Sequence, residues 1–198
     1  MHEKKKSSRC GGEKMSLLDT KKQFHLNIGP EDIGKYIILP GDPGRVEVIA
    51  DYLDDAVFAA SNREYTTYTG YLCGERVSVV STGIGGPSAA IAVEELVKCG
   101  AHTFIRIGTS GGMDLSVSGG DLVVASAAVR AEGTSYEYLP EGYPAAAHYE
   151  VVRALADAAE QLSEGVDGKR FHVGVVQSKD SFYGETNPET MPVQHKLQ

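Results

Sequence analysis

Two arginines set beside glycine-rich turns are the residues of this chain best suited to hold an anion. Arg106 lies in the hydrophobic run Thr103-Phe104-Ile105-Arg106-Ile107, and Gly108-Thr109-Ser110-Gly111-Gly112 follows at once. A run of this kind after a helical pattern predicts a buried strand of an α/β sheet. Burying a guanidinium there is costly unless a carboxylate or another anion meets it. The turn adds backbone N–H groups and the hydroxyls of Thr109 and Ser110 at the carboxyl end of the strand, where open α/β sheets hold ligands. A lone strand arginine often pairs with a structural carboxylate, so a second segment has to tip the balance. Ile37-Ile38-Leu39-Pro40-Gly41-Asp42-Pro43-Gly44-Arg45 supplies it: an apolar strand, a Gly-Pro turn, then Arg45 at the start of a helix. Gly41 permits close backbone approach, Pro43 suits a first helical turn, and a helix start attracts negative charge. Two such units at one edge provide what a phosphate-sized dianion needs. Neither is a P-loop, because no Gly-Lys-Ser/Thr follows.

The elements that must position these groups are legible in the pattern. A strand is expected over 36–39 and a helix over 44–53, marked by Val46, Ile49, Ala50 and Leu53. Alternation predicts strands over 56–61, 64–72 and 76–81, the last two hinged at Cys73-Gly74. Thr82-Gly83-Ile84-Gly85-Gly86 is a turn, and Pro87 and Ser88 open a helix to Lys98 packed through Ile91, Val93, Leu96 and Val97, with Gly100 as its stop. After the Arg106 strand come a strand over 121–129, a long loop over 131–147 and an amphipathic helix over 148–162 (Val151, Val152, Leu155, Ala158, Leu162). A buried strand over 171–177 follows, then a polar stretch to residue 198. Ending in a loop after a core strand leaves a sheet edge uncovered, so the sequence is expected to be incomplete at its C-terminus.

With 198 residues and 41% hydrophobic content, one substantial core and one domain over 23–198 are expected. Residues 1–22, with Lys4, Lys5, Lys6 and Arg9, read as a disordered basic lead-in without the apolar segment of a secretory signal; Met15 is a possible alternative start. A net charge of −8 speaks against a nucleic-acid-binding surface, and no apolar run is long enough for a membrane span. Cys10, Cys73 and Cys99 show no Cys-x-x-Cys spacing, which fits a reduced, cytoplasmic chain. The six histidines lack paired-ligand spacing, so no structural zinc is expected. Gly83-Ile84-Gly85-Gly86-Pro87-Ser88 is not a dinucleotide fingerprint, since Ser88 takes the third glycine position and no acidic residue closes the next strand. No Gly-x-Ser-x-Gly elbow is present.

Six ordered blocks carry a family resemblance: Phe24-His25-Leu26, Pro40-Gly41-Asp42-Pro43-Gly44-Arg45, Asn62-Arg63-Glu64-Tyr65-Thr66-Thr67, Ser81-Thr82-Gly83-Ile84-Gly85-Gly86-Pro87-Ser88, Ala92-Val93-Glu94-Glu95-Leu96 and Arg106-Ile107-Gly108-Thr109-Ser110-Gly111. In these the chain resembles the nucleoside phosphorylase-I family, and within it the uridine phosphorylase branch. The resemblance implies an α/β fold with a mixed, partly barrel-like central sheet flanked by helices, its last part missing here, and dimers assembled into a hexamer. It implies reversible phosphorolysis of pyrimidine nucleosides to base and ribose 1-phosphate, with inorganic phosphate as co-substrate and no organic cofactor. Gly41, Arg45, Arg106 and Thr109 are implied phosphate ligands, joined by Arg63 from a neighbouring subunit; Arg106, Thr109 and Arg45 carry the catalytic role. His25, also lent across the dimer interface, is implied to meet the ribose 5′-hydroxyl, while Gly111 and Phe182 lie against the base. Glu64, Ile84 and Ser88 match positions that hold a monovalent cation such as K+ between subunits in some members.

Two departures matter. The stretch Phe182-Tyr183-Gly184-Glu185-Thr186-Asn187-Pro188-Glu189 lacks the Gln and Arg that read uracil in this branch, and a carboxylate there repels carbonyl oxygens. A purine nucleoside phosphorylase of the same fold, or a non-catalytic nucleoside- or phosphate-binding paralogue, therefore stays open. The family's ribose-binding Met-Glu segment is expected beyond Gln198, so the 198-residue chain alone is expected to turn over little substrate.

Overall fold

The computed structural model describes residues 22–164 and 170–186. β1 (Tyr36–Pro40) leads through the Gly-Pro turn into α1 (Gly44–Ala50), and a meander of β2 (Asp54–Asn62), β3 (Tyr65–Leu72) and β4 (Glu75–Val80) follows. α2 (Gly86–Lys98) crosses to β5 (Thr103–Ile107). Then come β6 (Leu122–Ala131), α3 (Thr134–Tyr138), β7 (Ala145–Ala146), α4 (Tyr149–Ser163), β8 (Phe171–Lys179) and α5 (Tyr183–Thr186). The lead-in over residues 1–21 lies outside the described residues, as does the tail from 187 onward.

The expected mixed α/β architecture is present, with its strands divided between two sheets rather than gathered in one. The first has the order β2-β3-β4-β1-β5, and the second β7-β6-β8; neither closes into a barrel among the described residues. β1 pairs in parallel with both β4 and β5, while β3 runs antiparallel to β2 and β4. Parallel pairing, with Pro40 opposite Ile107 and Leu39 opposite Arg106, brings the carboxyl ends of β4, β1 and β5 to one edge. All three glycine-rich turns leave from that edge.

Period-two alternation decides the packing. Ile37, Leu39 and Val80 face a cluster with Leu26, Ile28, Ala92 and Leu96, so α2 covers that side. Val77 and Val79 face the other side, where Val46, Ala50 and Leu53 pack. Each fully buried Leu, Ile or Val contributes about 1.5–3 kcal/mol. At the β3–β4 hinge, Cys73 and Gly74 both have positive φ (52° and 82°), as a two-residue hairpin turn twisted to match its strands requires.

Several expectations need correction. β5 is an edge strand with no buried position, and Arg106 is exposed. The desolvation argument for its anion therefore fails in this chain, and the case for a ligand must rest on geometry. β8, expected as a buried strand, likewise has no buried residue and extends to Lys179. α1 ends at Ala50 rather than 53, because after the last helical bond, Asp51 N–H to Glu47, the next two N–H groups turn back tightly onto Ile49 and Ala50 before β2 begins. The 131–147 loop contains α3 and β7, organised by Arg130. Its guanidinium donates to Ser135 Oγ and to the carbonyls of Ser135, Leu139, Pro140 and Tyr143 at 2.7–2.9 Å. In α4 the buried residue is Ala159, while Ala158 and Leu162 are exposed.

Candidate functional site

The turn after β1 is the centre of the site. Gly41 is buried, and its backbone is laced to the next turn: Gly83 N–H donates to Gly41 O at 2.9 Å. A Cβ built on Gly41 would lie 3.4 Å from a terminal nitrogen of Arg106 and 3.7 Å from one of Arg45. The two guanidinium groups, one from the first turn of α1 and one from the end of β5, thus flank a single point. Among the described residues neither is ion-paired with a carboxylate; Arg106 donates only to the carbonyl of Ile107, at 3.1 Å. Gly108 makes this posture possible, since a Cβ there would stand 2.6 Å from Arg106 Nη1.

The start of α1 contributes less than its sequence suggests. Asp42 Oδ1 accepts the Gly44 N–H at 2.9 Å, and Arg45 and Val46 N–H bond to the carbonyls of Asp42 and Pro43. Those donors are satisfied locally, so positive charge at the edge comes from side chains. Thr109 and Gly111 lie in the exposed segment after β5, and no atom comes within 4 Å of a Cβ built on Gly111.

Arg63 occupies the tip of the β2–β3 hairpin, exposed and left-handed at φ 55°. A non-glycine residue there costs about 1–2 kcal/mol. Its neighbour Asn62 donates through Nδ2 to the carbonyl of His25 at 2.8 Å, which puts Arg63 and His25 on one surface. His25 itself is firmly held rather than part of a loose tail. Its Nδ1 lies 2.7 Å from Glu95 Oε1, and the Glu95 carboxylate also accepts the backbone N–H groups of His25 and Leu26 at 2.9–3.1 Å. Burial pushes the Glu95 carboxyl up, but the hydrogen bonds from Leu26 and His25 outweigh it and hold it below the ordinary value.

The three residues that the resemblance implies for a cation, Glu64, Ile84 and Ser88, gather around Gly83. A Cβ on Gly83 (φ 69°) would fall 2.6 Å from Glu64 Cγ and 3.4 Å from Ser88 Oγ, and Ser88 Oγ donates to the Ile84 carbonyl at 3.2 Å. Tyr65, buried beneath them, donates its hydroxyl to the Ser88 carbonyl at 3.0 Å. Burial, then the charge of Glu64, push that phenol up to about 12. Phe182 sits just before α5, exposed, its ring edge-on to Tyr183 at 5.1 Å. Asp180 Oδ2 accepts the Gly133 N–H at 3.0 Å, and Thr134 touches Gly86, so the end of β8 is tied to the start of α2.

Glu95 lies in a family-like block with no assigned role, although a carboxylate in the Ala92–Leu96 stripe of α2, continued by Cys99 at its cap, is a readable signal. Gly83 and Gly108 are close-approach sites that sequence alone could not distinguish from ordinary turn glycines.

The fold and site define a mixed α/β protein in which two guanidinium groups, one from the start of α1 and one from β5, converge at the carboxyl ends of parallel strands. The chain belongs to the phosphorylase superfamily, whose family profile matches residues 35–196. It is 52% identical over 175 residues to a uridine phosphorylase of Treponema pallidum (strain Nichols), covering 88% of this chain and 66% of that protein. It is 50% identical over 167 residues to a uridine phosphorylase of Thermococcus kodakarensis, covering 84% of this chain and 58% of the relative. A guanosine phosphorylase of Halorubrum lacusprofundi is 45% identical over 166 residues, covering 84% of this chain and 67% of its own length. The chain thus spans between about three fifths and two thirds of these relatives. No helix of the described residues is long and apolar enough to cross a membrane.

Proposed function

We propose that the protein acts as a uridine phosphorylase-type pentosyltransferase. It cleaves a pyrimidine nucleoside with inorganic phosphate, reversibly, to free base and ribose 1-phosphate in cytoplasmic nucleoside salvage. The observation that carries this reading is the approach of Arg45 and Arg106 to one point beside Gly41, with no carboxylate partner among the described residues. Such a pair suits a phosphate dianion, because guanidinium forks form two-pronged, charge-assisted hydrogen bonds. Thr109 adds a hydroxyl donor, and Arg63 of the partner subunit adds a third positive charge.

The chemistry asks little else of the protein. A phosphate oxygen attacks the anomeric carbon as the C1′–N bond breaks, its electron pair leaves with the base, and the base then takes a proton. The sugar passes through an oxocarbenium-like state beside the bound anion. Holding phosphate and sugar in line supplies much of the acceleration, and the fixed guanidinium charges hold the dianion against the cationic sugar. His25 of the partner subunit meets the ribose 5′-hydroxyl, while Gly111 and Phe182 flank the base. The surface shared by His25 and Arg63 supports a dimer, repeated into a hexamer. Glu64, the Ile84 carbonyl and Ser88 are hard oxygen donors that fit a monovalent cation at that interface; there the cation neutralises Glu64 charge between subunits.

A purine nucleoside is the second reading. Residues 182–189 lack the Gln and Arg expected of a uracil site, and the similarity to a guanosine phosphorylase is nearly as high as that to the uridine enzymes. Base release from uridine, thymidine, inosine and guanosine in phosphate buffer separates the two. Arg106→Ala should raise the phosphate requirement at least tenfold with whichever nucleoside is cleaved; an unchanged phosphate dependence rejects the phosphorylase reading.

A further inference from the structure

Glu95 is a buried, ionised side chain that the phosphorolysis chemistry above does not use. Only 6% of it is exposed. It sits in the apolar stripe of α2, where a carboxylate needs strong compensation. Its oxygens receive that from three donors, the N–H groups of His25 and Leu26 and the His25 ring at Nδ1, the last at 2.7 Å. An ionised carboxylate can only accept, so the ring must donate from Nδ1. In the neutral imidazole this leaves Nε2 with a lone pair and no hydrogen. Among the described residues nothing bonds to Nε2, although the side chain is 32% exposed. The Phe24 ring stands edge-on to the imidazole at 4.9 Å and 87°, and Asn62 fixes the His25 carbonyl from the Arg63 hairpin. Every contact thus holds the ring with Nε2 outward.

We propose that Glu95 is a positioning residue that commits His25 Nε2 to accepting a hydrogen bond, so that the sugar subsite served by His25 favours ligands with a hydroxyl hydrogen donor at the 5′ position. The inference rests on the reading of His25 as the group that meets the ribose 5′-hydroxyl. It adds a direction to that contact and names the residue that sets it.

Glu95→Gln reverses the direction. A carboxamide can keep accepting from the two backbone N–H groups only by turning its NH2 toward Nδ1. The ring then accepts at Nδ1 and carries its hydrogen on Nε2. Two-bond 1H–15N spectra of the 15N-labelled full chain, taken above the histidine titration range, should show His25 protonated at Nδ1. In Glu95→Gln the proton should move to Nε2, with the other imidazole signals unchanged as a check on folding. A native ring protonated at Nε2, or a folded variant that keeps Nδ1–H, overturns the proposal.

Dissociation constants then test the consequence. The native protein should bind uridine about tenfold more tightly than either 5′-deoxyuridine or 5′-O-methyluridine, since neither analogue has a 5′ donor. Glu95→Gln should restore the 5′-O-methyl analogue relative to the 5′-deoxy one, whereas a purely structural defect would weaken all three ligands by one factor. A uniform loss therefore counts against the proposal. His25→Ala should make the three ligands equivalent. If it leaves the preference for uridine intact, the assignment of His25 to the sugar fails, a result separable from the tautomer itself.

Discussion

Gly108→Ala should separate phosphate binding from folding. A methyl carbon at this position would stand 2.6 Å from Arg106 Nη1, whereas unstrained contacts between heavy atoms begin near about 3.5 Å. The guanidinium must therefore retreat by about 1 Å. It is the free end of a flexible side chain, held by one bond of 3.1 Å to the Ile107 carbonyl, so the fold bears little of the cost. Gly108 is not among the positive-φ glycines, and alanine should stabilise the chain by about 0.4–1 kcal/mol through the unfolded state. A charge-assisted hydrogen bond to phosphate contributes about 1.5–3 kcal/mol, so displacing it should weaken phosphate binding about ten- to a hundredfold. Calorimetric titration with phosphate gives the affinity, and urea unfolding gives the stability. Unchanged phosphate affinity in a stably folded variant would refute the proposed role of Arg106 in binding the anion.

Other substitutions probe the frame around the site. Arg63→Gly removes a left-handed arginine at φ 55°, so thermal stability should hold or rise by up to about 1 kcal/mol while phosphorolysis falls at least tenfold; a loss of both would make Arg63 structural. Gly83→Ala forces a side chain into φ 69° against Glu64 at 2.6 Å, and urea unfolding should register a loss of about 1–3 kcal/mol. Glu95 has a folded pKa below its ordinary 4.5. Its stabilisation is therefore complete above about 4.5 and is lost as pH falls through the lower folded value. Acid unfolding of the native chain should be steeper in that window than that of Glu95→Gln, and parallel curves would contradict the assignment.

Local pattern made much of this fold readable. Alternation placed β3 and β4 to within a residue, and Cys73-Gly74 marked their turn, because side-chain period and turn chemistry are local properties. The apolar content of β5 misled: hydrophobic residues signal burial only when another layer covers them, and β5 lies at the edge of its sheet. Ordering of the 131–147 loop was invisible because it depends on one guanidinium reaching carbonyls up to 13 residues away. Two strand-to-turn units suggest that Arg45 and Arg106 approach each other, and the parallel pairing of β1 and β5, which no local pattern carries, sets their approach to Gly41. A carboxylate in an apolar helix stripe is a local signal, but its partner is not: His25 lies 70 residues earlier in the chain.

Titration of inorganic phosphate into the native chain and into Arg45→Ala and Arg106→Ala, in chloride buffer at constant ionic strength, tests the central claim most directly. The proposed shared anion site predicts saturable binding by the native chain and a loss of about tenfold or more in each variant, with folding intact by circular dichroism. Equal phosphate affinity in all three proteins would show that the two guanidinium groups flank Gly41 without serving an anion.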